Sequence, residues 1–535
     1  MSNADVIARK LALAGSTRAY GIPGGEVLVI IDALERAGIS FHLTKHENFA
    51  GFMAEGTWHA TGAPGILVAT IGPGVANAVN VVANAFQDRV PLIFLTGCMD
   101  GADADTYTHQ VFDHRALLSG IVKATFEARG KSLPQVMDKA LTLAVSGQPG
   151  PVHIDLPIRV AEEEASPVSL SALPPAAPFA PADSDVLARA RAWLTAAEKP
   201  LVVAGLDALN DGAADTLRRF VERTGAPLVT TYKAKGMVDE DHPLVLGGAG
   251  LSPLADKHLM PLLAASDCIV LAGYDPIEMR VGWRDPWPAD ARVIDITPVV
   301  RTHGMHAVGL TLYGGVGETL DALGTTGPAK PAWANGEATA ARAALRAAFS
   351  PESEGWGPAT VFHQLAQTLP QNTVITADSG AHRILLSQLW RCRLPRQMLQ
   401  SSALCTMGCA VALAAGHKHA VPDRPVVAFV GDAGLEMTLG DVATLREHQL
   451  AVPIVVLIDD SLALIEMKQR GQQLPNVGVD FTGTDFVTLA KAMGGHGVWI
   501  EDSDALAKEA TQALSRETFT LLCVRIGRRA YDGKF

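Results

Sequence analysis

Cysteine is scarce in this 535-residue chain: Cys98, Cys268, Cys392, Cys405, Cys409 and Cys523 are scattered, with no C-x-x-C pair among them. That spacing excludes a disulfide framework and the usual thiolate metal sites, and Cys405 and Cys409, four apart, have helical spacing instead. All six read as reduced, structural thiols. A Lys/Arg-rich block is also missing, and 44 basic against 56 acidic residues leave a formal charge of −12, which argues against nucleic acid or an anionic membrane as the main partner. No stretch approaches 18 uninterrupted apolar residues, and the N-terminus, MSNADVIARKLALAG, has neither the basic region nor the apolar region of a signal peptide. The expectation is a cytoplasmic protein with no membrane partner. Short repeats, low-complexity tracts and a complete G-x-G-x-x-G fingerprint are absent as well, so a Rossmann dinucleotide site has no support.

What the chain does have is apolar material, 48% of its residues, enough for about three domains of roughly 150 residues. Residues 161–184 (AEEEASPVSLSALPPAAPFAPADS) are rich in Pro, Ala and Ser, and residues 325–357 begin and end in Pro/Gly clusters around an Ala-rich helix. Read as linkers, they leave domains at 1–165, 185–325 and 355–535. Each third contains short aliphatic runs followed by helix-like segments: GILVAT and PLIFLTG, then PLVVAG and CIVLAGY, then PVVAFVGD and PIVVLIDD. Strands too continuously apolar to have a wet face imply parallel sheets covered on both sides. The fold class expected is therefore α/β, with three doubly wound parallel-sheet domains.

The chemistry concentrates in the last third. PVVAFVGDAG ends in Gly431-Asp432, and 27 positions on PIVVLIDD ends in Asp459-Asp460. Two carboxylates at the C-terminal ends of neighbouring parallel strands occupy the edge where open α/β sheets bind ligands. Oxygen donors there suit Mg²⁺, which completes its octahedron with water and substrate phosphates. Gly431 and Gly434 would let the backbone approach a diphosphate, with the helix MTLGDVATLREHQ pointing its N-terminus inward. Either Asp alone is more often a helix or turn cap; the pair shifts the balance.

This pattern resembles the thiamine diphosphate (ThDP) enzyme superfamily, and the resemblance runs along the whole chain. The superfamily signature is G-D-G followed by an Asn pair; here Ala433 stands at the third position, as in acetolactate synthase-like members, and Asp459 replaces the metal-binding Asn, as in FAD-independent catabolic acetolactate synthases. The resemblance implies Mg²⁺ held by Asp432, Asp459 and the carbonyl of Ser461, with Asp460 pointing elsewhere. It assigns the cofactor to Gly431, Asp432, Ala433, Gly434, Asp459, Ser461, Leu462, Ala463 and Leu464. ITADSGAHRILLSQLW adds Ser379, Gly380, Ala381 and His382 on the diphosphate. SALCTMGCAVALAAG adds the backbone of Cys405 and Met407 on the pyrimidine, with Met407 wedged under the bent cofactor.

Near the N-terminus, KHENFAGFMAEG places Glu47 between a short apolar-polar stretch and a helix-like run. A lone acid there is usually a dipole-stabilised cap. Followed by TIGPGVANAVNVVANAFQDRVPLIFLTG, it matches the carboxyl group that the superfamily sets against the pyrimidine N1′, so that the 4′-imino form can arise. Ile71 replaces the Ser common before Gly-Pro-Gly. YTHQVFDH resembles the acetolactate synthase segment whose Gln reaches the active site, making Gln110 a second catalytic candidate and leaving His109 and His114 structural. Because the superfamily pairs the pyrimidine domain of one subunit with the diphosphate domain of another, the resemblance implies a homodimer at minimum and a homotetramer as the assembly.

The middle segment, GYDPIEM and VTTYKAKGMVDED, resembles the FAD-free members, and FAD is not expected. ALIEMKQ carries Leu464-Ile465 where protonating decarboxylases carry a Glu, which favours ligation of the carbanion to a second carbonyl; Glu466 next door weakens that inference. The activity implied is decarboxylation of a pyruvate-like 2-oxo acid with carboligation. Alternatives are a decarboxylase that ends in protonation, an acyltransferase with another acceptor, and a catalytically silent regulatory subunit, against which Glu47, Asp432 and Asp459 together speak. Arg280, Arg115 and Lys468 are candidate cations for the substrate carboxylate, and Glu26 in GIPGGEV is an acid where relatives carry a neutral or basic residue.

Overall fold

Aliphatic runs that are apolar on both faces can lie only inside a layered structure, and every residue of GILVA, CIVLA and PIVVLI is buried in a strand. The computed structural model describes residues 1–166, 170–174, 177–324, 332–351 and 355–535. Three six-stranded sheets, parallel at every pairing, form three α/β layers in chain order.

The first sheet contains β1 (Arg18–Ile22), β2 (Ser40–Leu43), β3 (Gly65–Ala69), β4 (Leu92–Cys98), β5 (Ala124–Glu127) and β6 (Val152–Pro157), in the order 2-1-3-4-6-5. The third, β13 (Val374–Ala377), β14 (Met398–Gln400), β15 (Val426–Gly431), β16 (Pro453–Ile458), β17 (His496–Ile500) and β18 (Thr520–Arg525), repeats that order as 14-13-15-16-18-17. Between them lie β7 (Pro200–Ala204), β8 (Leu228–Thr231), β9 (Val245–Ala249), β10 (Cys268–Ala272), β11 (Arg292–Thr297) and β12 (Leu310–Tyr313). Their order, 12-11-10-7-8-9, is the doubly wound arrangement of dinucleotide-binding domains, although no phosphate-binding fingerprint accompanies it.

The first and third sheets share one core through a helix pair, Glu47–Thr61 against Ala410–Ala420, with Phe49, Phe52, Met53 and Leu413 inside it. Two glycines set how close the helices come. A Cβ on Gly56 would stand 2.3 Å from the Leu413 carbonyl oxygen, and one on Gly416 would stand 2.0 Å from that of Met53. The middle and third sheets share a second core around Trp283, Phe362 and Phe429. Among the described residues no helix is long and apolar enough to cross a membrane.

The Ala-rich helix expected in the second linker is present, and one local expectation changes. The Ala-rich part of the second linker is the helix Glu337–Ala348, which packs on the middle domain: Leu345 is buried, and Arg342 donates to the carbonyl oxygens of Val245, Asp241 and His242. The rest of that linker, 325–331 and 352–354, lies outside the described residues, as do 167–169 and 175–176 of the first. The helix read over MTLGDVATLREHQ (437–449) is instead a single 3₁₀ turn (Leu439–Asp441) followed by Val442–Glu447, with a separate short helix, Asp432–Glu436, ahead of it. Its break follows from a tertiary contact, since the Asp441 carboxylate turns to accept the Lys45 backbone N–H of the first domain at 3.2 Å.

Because Gly416 has backbone rather than a flexible side chain opposite it, Gly416→Ala should destabilise the protein by about 1–3 kcal/mol, as overpacking does. Gly120→Ala, with nothing within 4 Å of the added carbon, should leave stability nearly unchanged. Chemical denaturation of both variants checks the contrast.

Candidate active-site cleft

β15 and β16 pair in parallel with Gly431 opposite Leu457, so Asp432 and Asp459 emerge at adjacent strand tips. Asp432 spans the gap between them: its Oδ2 accepts the N–H groups of Asp459 (3.1 Å) and Asp460 (2.8 Å), and its Oδ1 accepts the N–H of Ala433 (2.9 Å). Burial holds the Asp432 carboxyl above the usual carboxylate range, and burial followed by the Asp432 charge pushes Asp459 up to about 7. Carboxylates placed this way suppress each other's ionisation; a divalent cation held between them would reverse that. The donor set fits a hard cation. Asp460, with φ +54, directs its carboxylate away, to Arg525 at 3.1 Å.

All fifteen cofactor-binding candidates (379–382, 405, 407, 431–434, 459 and 461–464) line one cleft of about 230 Å³ at these tips. Two of its polar atoms are buried without a hydrogen-bond partner, Ser379 Oγ and His382 Nε2. Burial, with Arg383 beside it, holds the His382 imidazole down at about 3, so it is neutral. Helix Ala381–Leu389 opens its N-terminus at the same wall. The unpartnered Ser379 hydroxyl and a positive helix end together fit a diphosphate.

The opposite wall is the loop 401–409. Asp378, fully buried just past the tip of β13, accepts the N–H groups of Gly408 (3.0 Å) and Cys409 (3.1 Å), fixing the turn that carries Met407. A Cβ on Gly434 would lie 2.1 Å from the Asp378 Oδ2. That glycine is therefore required by a carboxylate of the protein itself rather than by ligand approach. Cys405 has φ +56 and is exposed, its sulfur held by Arg383 at 3.1 Å, while Cys409 sits at the start of Ala410–Ala420. The helical relation read from their spacing is thus corrected: the loop turns between the two.

From the first domain, helix Pro73–Gln87 braces this loop with a polar stripe. Asn80 accepts from Thr406 Oγ1 (3.0 Å), Asn84 accepts from Ser401 Oγ (2.6 Å), and Asp88, just past the helix, accepts the N–H groups of Ser402 and Ala403. Earlier on the same helix, Asn77 donates to Glu47 Oε2 at 3.0 Å. Sequence reasoning passed over Asp378, Arg383, Asn77, Asn80, Asn84, Asp88 and Tyr531, which also lines the cleft. The signal was legible for four of them: polar residues at helical spacing inside an otherwise apolar run, ANAVNVVANAFQD.

Glu47 is 3% exposed at the first turn of its helix, and it does not line the cleft of its own chain. Gln110 is exposed with φ +61, its carbonyl packed against Gly72, where a Cβ would lie 2.3 Å away. His114 accepts the Gly72 N–H at Nε2 (3.1 Å) and contacts Asp155 through Nδ1 (2.8 Å), so it orders the Gly-Pro-Gly turn. The three cations proposed for a substrate carboxylate lie elsewhere: Arg280 pairs with Asp256, Arg115 with Glu127, and Lys468 is exposed outside the cleft lining. Glu26 is occupied in accepting from Thr70 Oγ1 at 2.6 Å.

Such a strand-edge cleft, with phosphate-ready donors facing paired acids, places the protein among α/β enzymes that hold a phosphorylated cofactor at their strand ends. Comparison with known proteins makes this specific. The descriptions of the thiamine pyrophosphate enzyme N-terminal TPP binding domain, central domain and C-terminal TPP binding domain match residues 1–117, 187–323 and 378–524. The chain is 31% identical over 483 residues to the acetolactate synthase isozyme 1 large subunit of Escherichia coli, covering 88% of this chain and 83% of that protein. It is 27% identical to an acetolactate synthase of Bacillus subtilis (96% and 91% covered) and 29% identical to a probable 2-ketoarginine decarboxylase, AruI, of Pseudomonas aeruginosa (97% and 93%). The chain belongs to the thiamine pyrophosphate enzyme family, as an acetolactate synthase-like member.

Removing the negative charge of Asp378 would put an amide against two N–H donors. Asp378→Asn should cost about 1–3 kcal/mol of stability and weaken ThDP binding by loosening the Met407 turn; denaturation and calorimetric titration measure the two effects.

Proposed function

We propose that this enzyme, with ThDP and Mg²⁺, decarboxylates a 2-oxo acid such as pyruvate and joins the remaining acyl unit to a second carbonyl, as the name acetolactate synthase describes for its relatives. The observation that carries this reading is the convergence of the candidate residues on one strand-tip cleft whose acids, orphaned donors and apolar turn each suit a separate part of that chemistry.

Asp432 and Asp459, with the Ser461 carbonyl, would hold Mg²⁺. Ser379 Oγ and the N-terminus of Ala381–Leu389 would receive diphosphate oxygens, with His382 lining the same wall, and Met407 would press on the cofactor from the opposite wall. When bound, ThDP supplies an acyl-anion equivalent. Glu47 would hold a proton at its carboxyl group, oriented by Asn77 in a site dry enough for a strong hydrogen bond. Since Glu47 does not line its own chain's cleft, a partner subunit's cleft is its destination in this reading, which makes the homodimer the minimum unit and a homotetramer a natural assembly.

Carboligation is supported by the turn after the acids. Leu464 and Ile465 present aliphatic groups to the cleft, while Glu466 is drawn aside by Arg470 (3.0 Å) and Arg529 (3.4 Å), which hold its carboxyl below the usual range. With Glu466 turned away, neither Leu464 nor Ile465 offers a proton to the cleft. The Tyr531 hydroxyl-bearing ring at the cleft and the decarboxylase named among the relatives favour a second reading, in which protonation ends the cycle.

A flavin-free middle domain is supported by what stands at its sheet's switch point, between β7 and β10. Asp207, in the first turn of helix Leu206–Asn210, joins Asp275 and Asp295 there around Arg301, and Arg89 reaches Asp275 at 3.0 Å. A dinucleotide's diphosphate would meet three carboxylates at that point.

Glu47→Gln should lower kcat by roughly 10²–10⁴-fold with ThDP affinity nearly unchanged; a rate near that of the wild type would remove the mechanism. Incubation with pyruvate, ThDP and Mg²⁺ should yield acetolactate, acetaldehyde selecting the decarboxylase reading instead. The purified protein should show no flavin absorbance.

A further inference from the structure

Three imidazoles from distant parts of the chain meet at the seam between the first and third sheets, outside the cleft lining: His42 on β2, His419 near the end of Ala410–Ala420, and His448 just past Val442–Glu447. One ligand-capable nitrogen from each lies within 4.8 Å of the others, and the ring centroids are 4.2, 4.9 and 5.0 Å apart. A tetrahedral ion bound to three imidazole nitrogens at about 2.0–2.1 Å sets its rings about 5 Å apart.

The hydrogen bonds around the cluster orient lone pairs inward. Thr57 Oγ1 donates to the Gly416 carbonyl (3.2 Å), so it accepts from the Tyr20 hydroxyl (2.8 Å). Tyr20 oxygen is then the acceptor for His419 Nδ1–H at 3.3 Å, which leaves His419 Nε2 as a free base. Such an outer hydrogen bond is how metal-binding histidines are held in the correct tautomer. The Nε2 atoms of His42 and His448 are buried and have no hydrogen-bond partner, and the His448 ring also contacts the Leu43 main chain. Partial exposure of all three residues leaves a route for entry.

We propose that His42, His419 and His448 form a site for one divalent transition-metal ion of the zinc type, with a fourth position open to water. The donor set separates it from the oxygen-lined strand tips: neutral imidazoles suit zinc, cobalt or copper and bind Mg²⁺ poorly. Local charge does not recruit the ion, since Arg18 is nearby and Lys45 is paired with Glu447 at 2.8 Å. Coordination itself would supply the affinity. Filled, the site would fasten the edge strand β2, whose His42 lies five residues ahead of Glu47, to the third domain.

The test is Co²⁺ titration of the ThDP- and Mg²⁺-loaded full chain, followed by absorption. One Co²⁺ per chain with tetrahedral d–d bands, displaced by Zn²⁺ and not by excess Mg²⁺, is expected. His419→Gln and His448→Gln should each weaken binding at least ~10-fold. Tyr20→Phe, which keeps all three ligands and removes the acceptor that orients His419, should weaken it ~10–100-fold. No saturable Co²⁺ binding in the wild type, an octahedral spectrum, or affinity unchanged by both histidine substitutions overturns the proposal.

Discussion

Asp432 Oδ2 accepts two N–H groups from the tip of the neighbouring strand, and the rest of the cleft is organised around that bond pair. Through it the ends of β15 and β16 behave as one unit. It turns Asp459 toward Asp432, leaves Asp460 to take a left-handed backbone and reach Arg525, and starts the short turn whose next residues, 461–464, form the cleft's outer lip. A parallel sheet is the reason such a bond can exist, because only parallel neighbours end on the same side.

The second requirement is that three layers hold still relative to that edge. Gly56 and Gly416 let two helices touch backbone to backbone, so the first domain's Asn80, Asn84 and Asp88 can reach the loop 401–409. Beneath them Lys233 of the middle domain is buried against Asp88 (2.8 Å) and Glu55 (3.8 Å), a charge that only a partner of opposite sign could keep in the interior. One helix, Pro73–Gln87, thus braces Glu47 through Asn77 and the loop 401–409 through its later turns. In the proposed reading, the acid given to one cleft and the wall of another are aligned by the same element.

First and third sheets share the strand order 2-1-3-4-6-5, yet their chemistry differs. Strand tips of the third carry acids and orphaned donors, whereas β4 and β6 at the first carry Thr96, His153 and Asp155 in a satisfied buried network that supports the Gly72 turn. Repetition of a fold therefore placed two unlike edges in one chain. The middle sheet has dinucleotide-domain order, and its switch point carries Asp207 and Asp275 paired with Arg301.

Strand identity, the α/β class and the two strand-end acids were legible from local pattern, because buried parallel strands are apolar on both faces and their ends change abruptly to Gly and Asp; the stretches around Ser379 and Met407 were legible only as a resemblance to the thiamine diphosphate superfamily. Other features depended on partners distant in sequence. Asp378 clamping Gly408, Asn84 reaching Ser401, Arg280 drawn off by Asp256, and the break before Val442 where Asp441 meets Lys45 all join segments that no periodicity links. Even the reason for Gly434 changed, from ligand approach to room for a carboxylate of the protein's own. Periodicity records which face of an element is buried; which polar group waits there is decided only when the layers close, since most buried polar groups find their partners on segments distant in sequence.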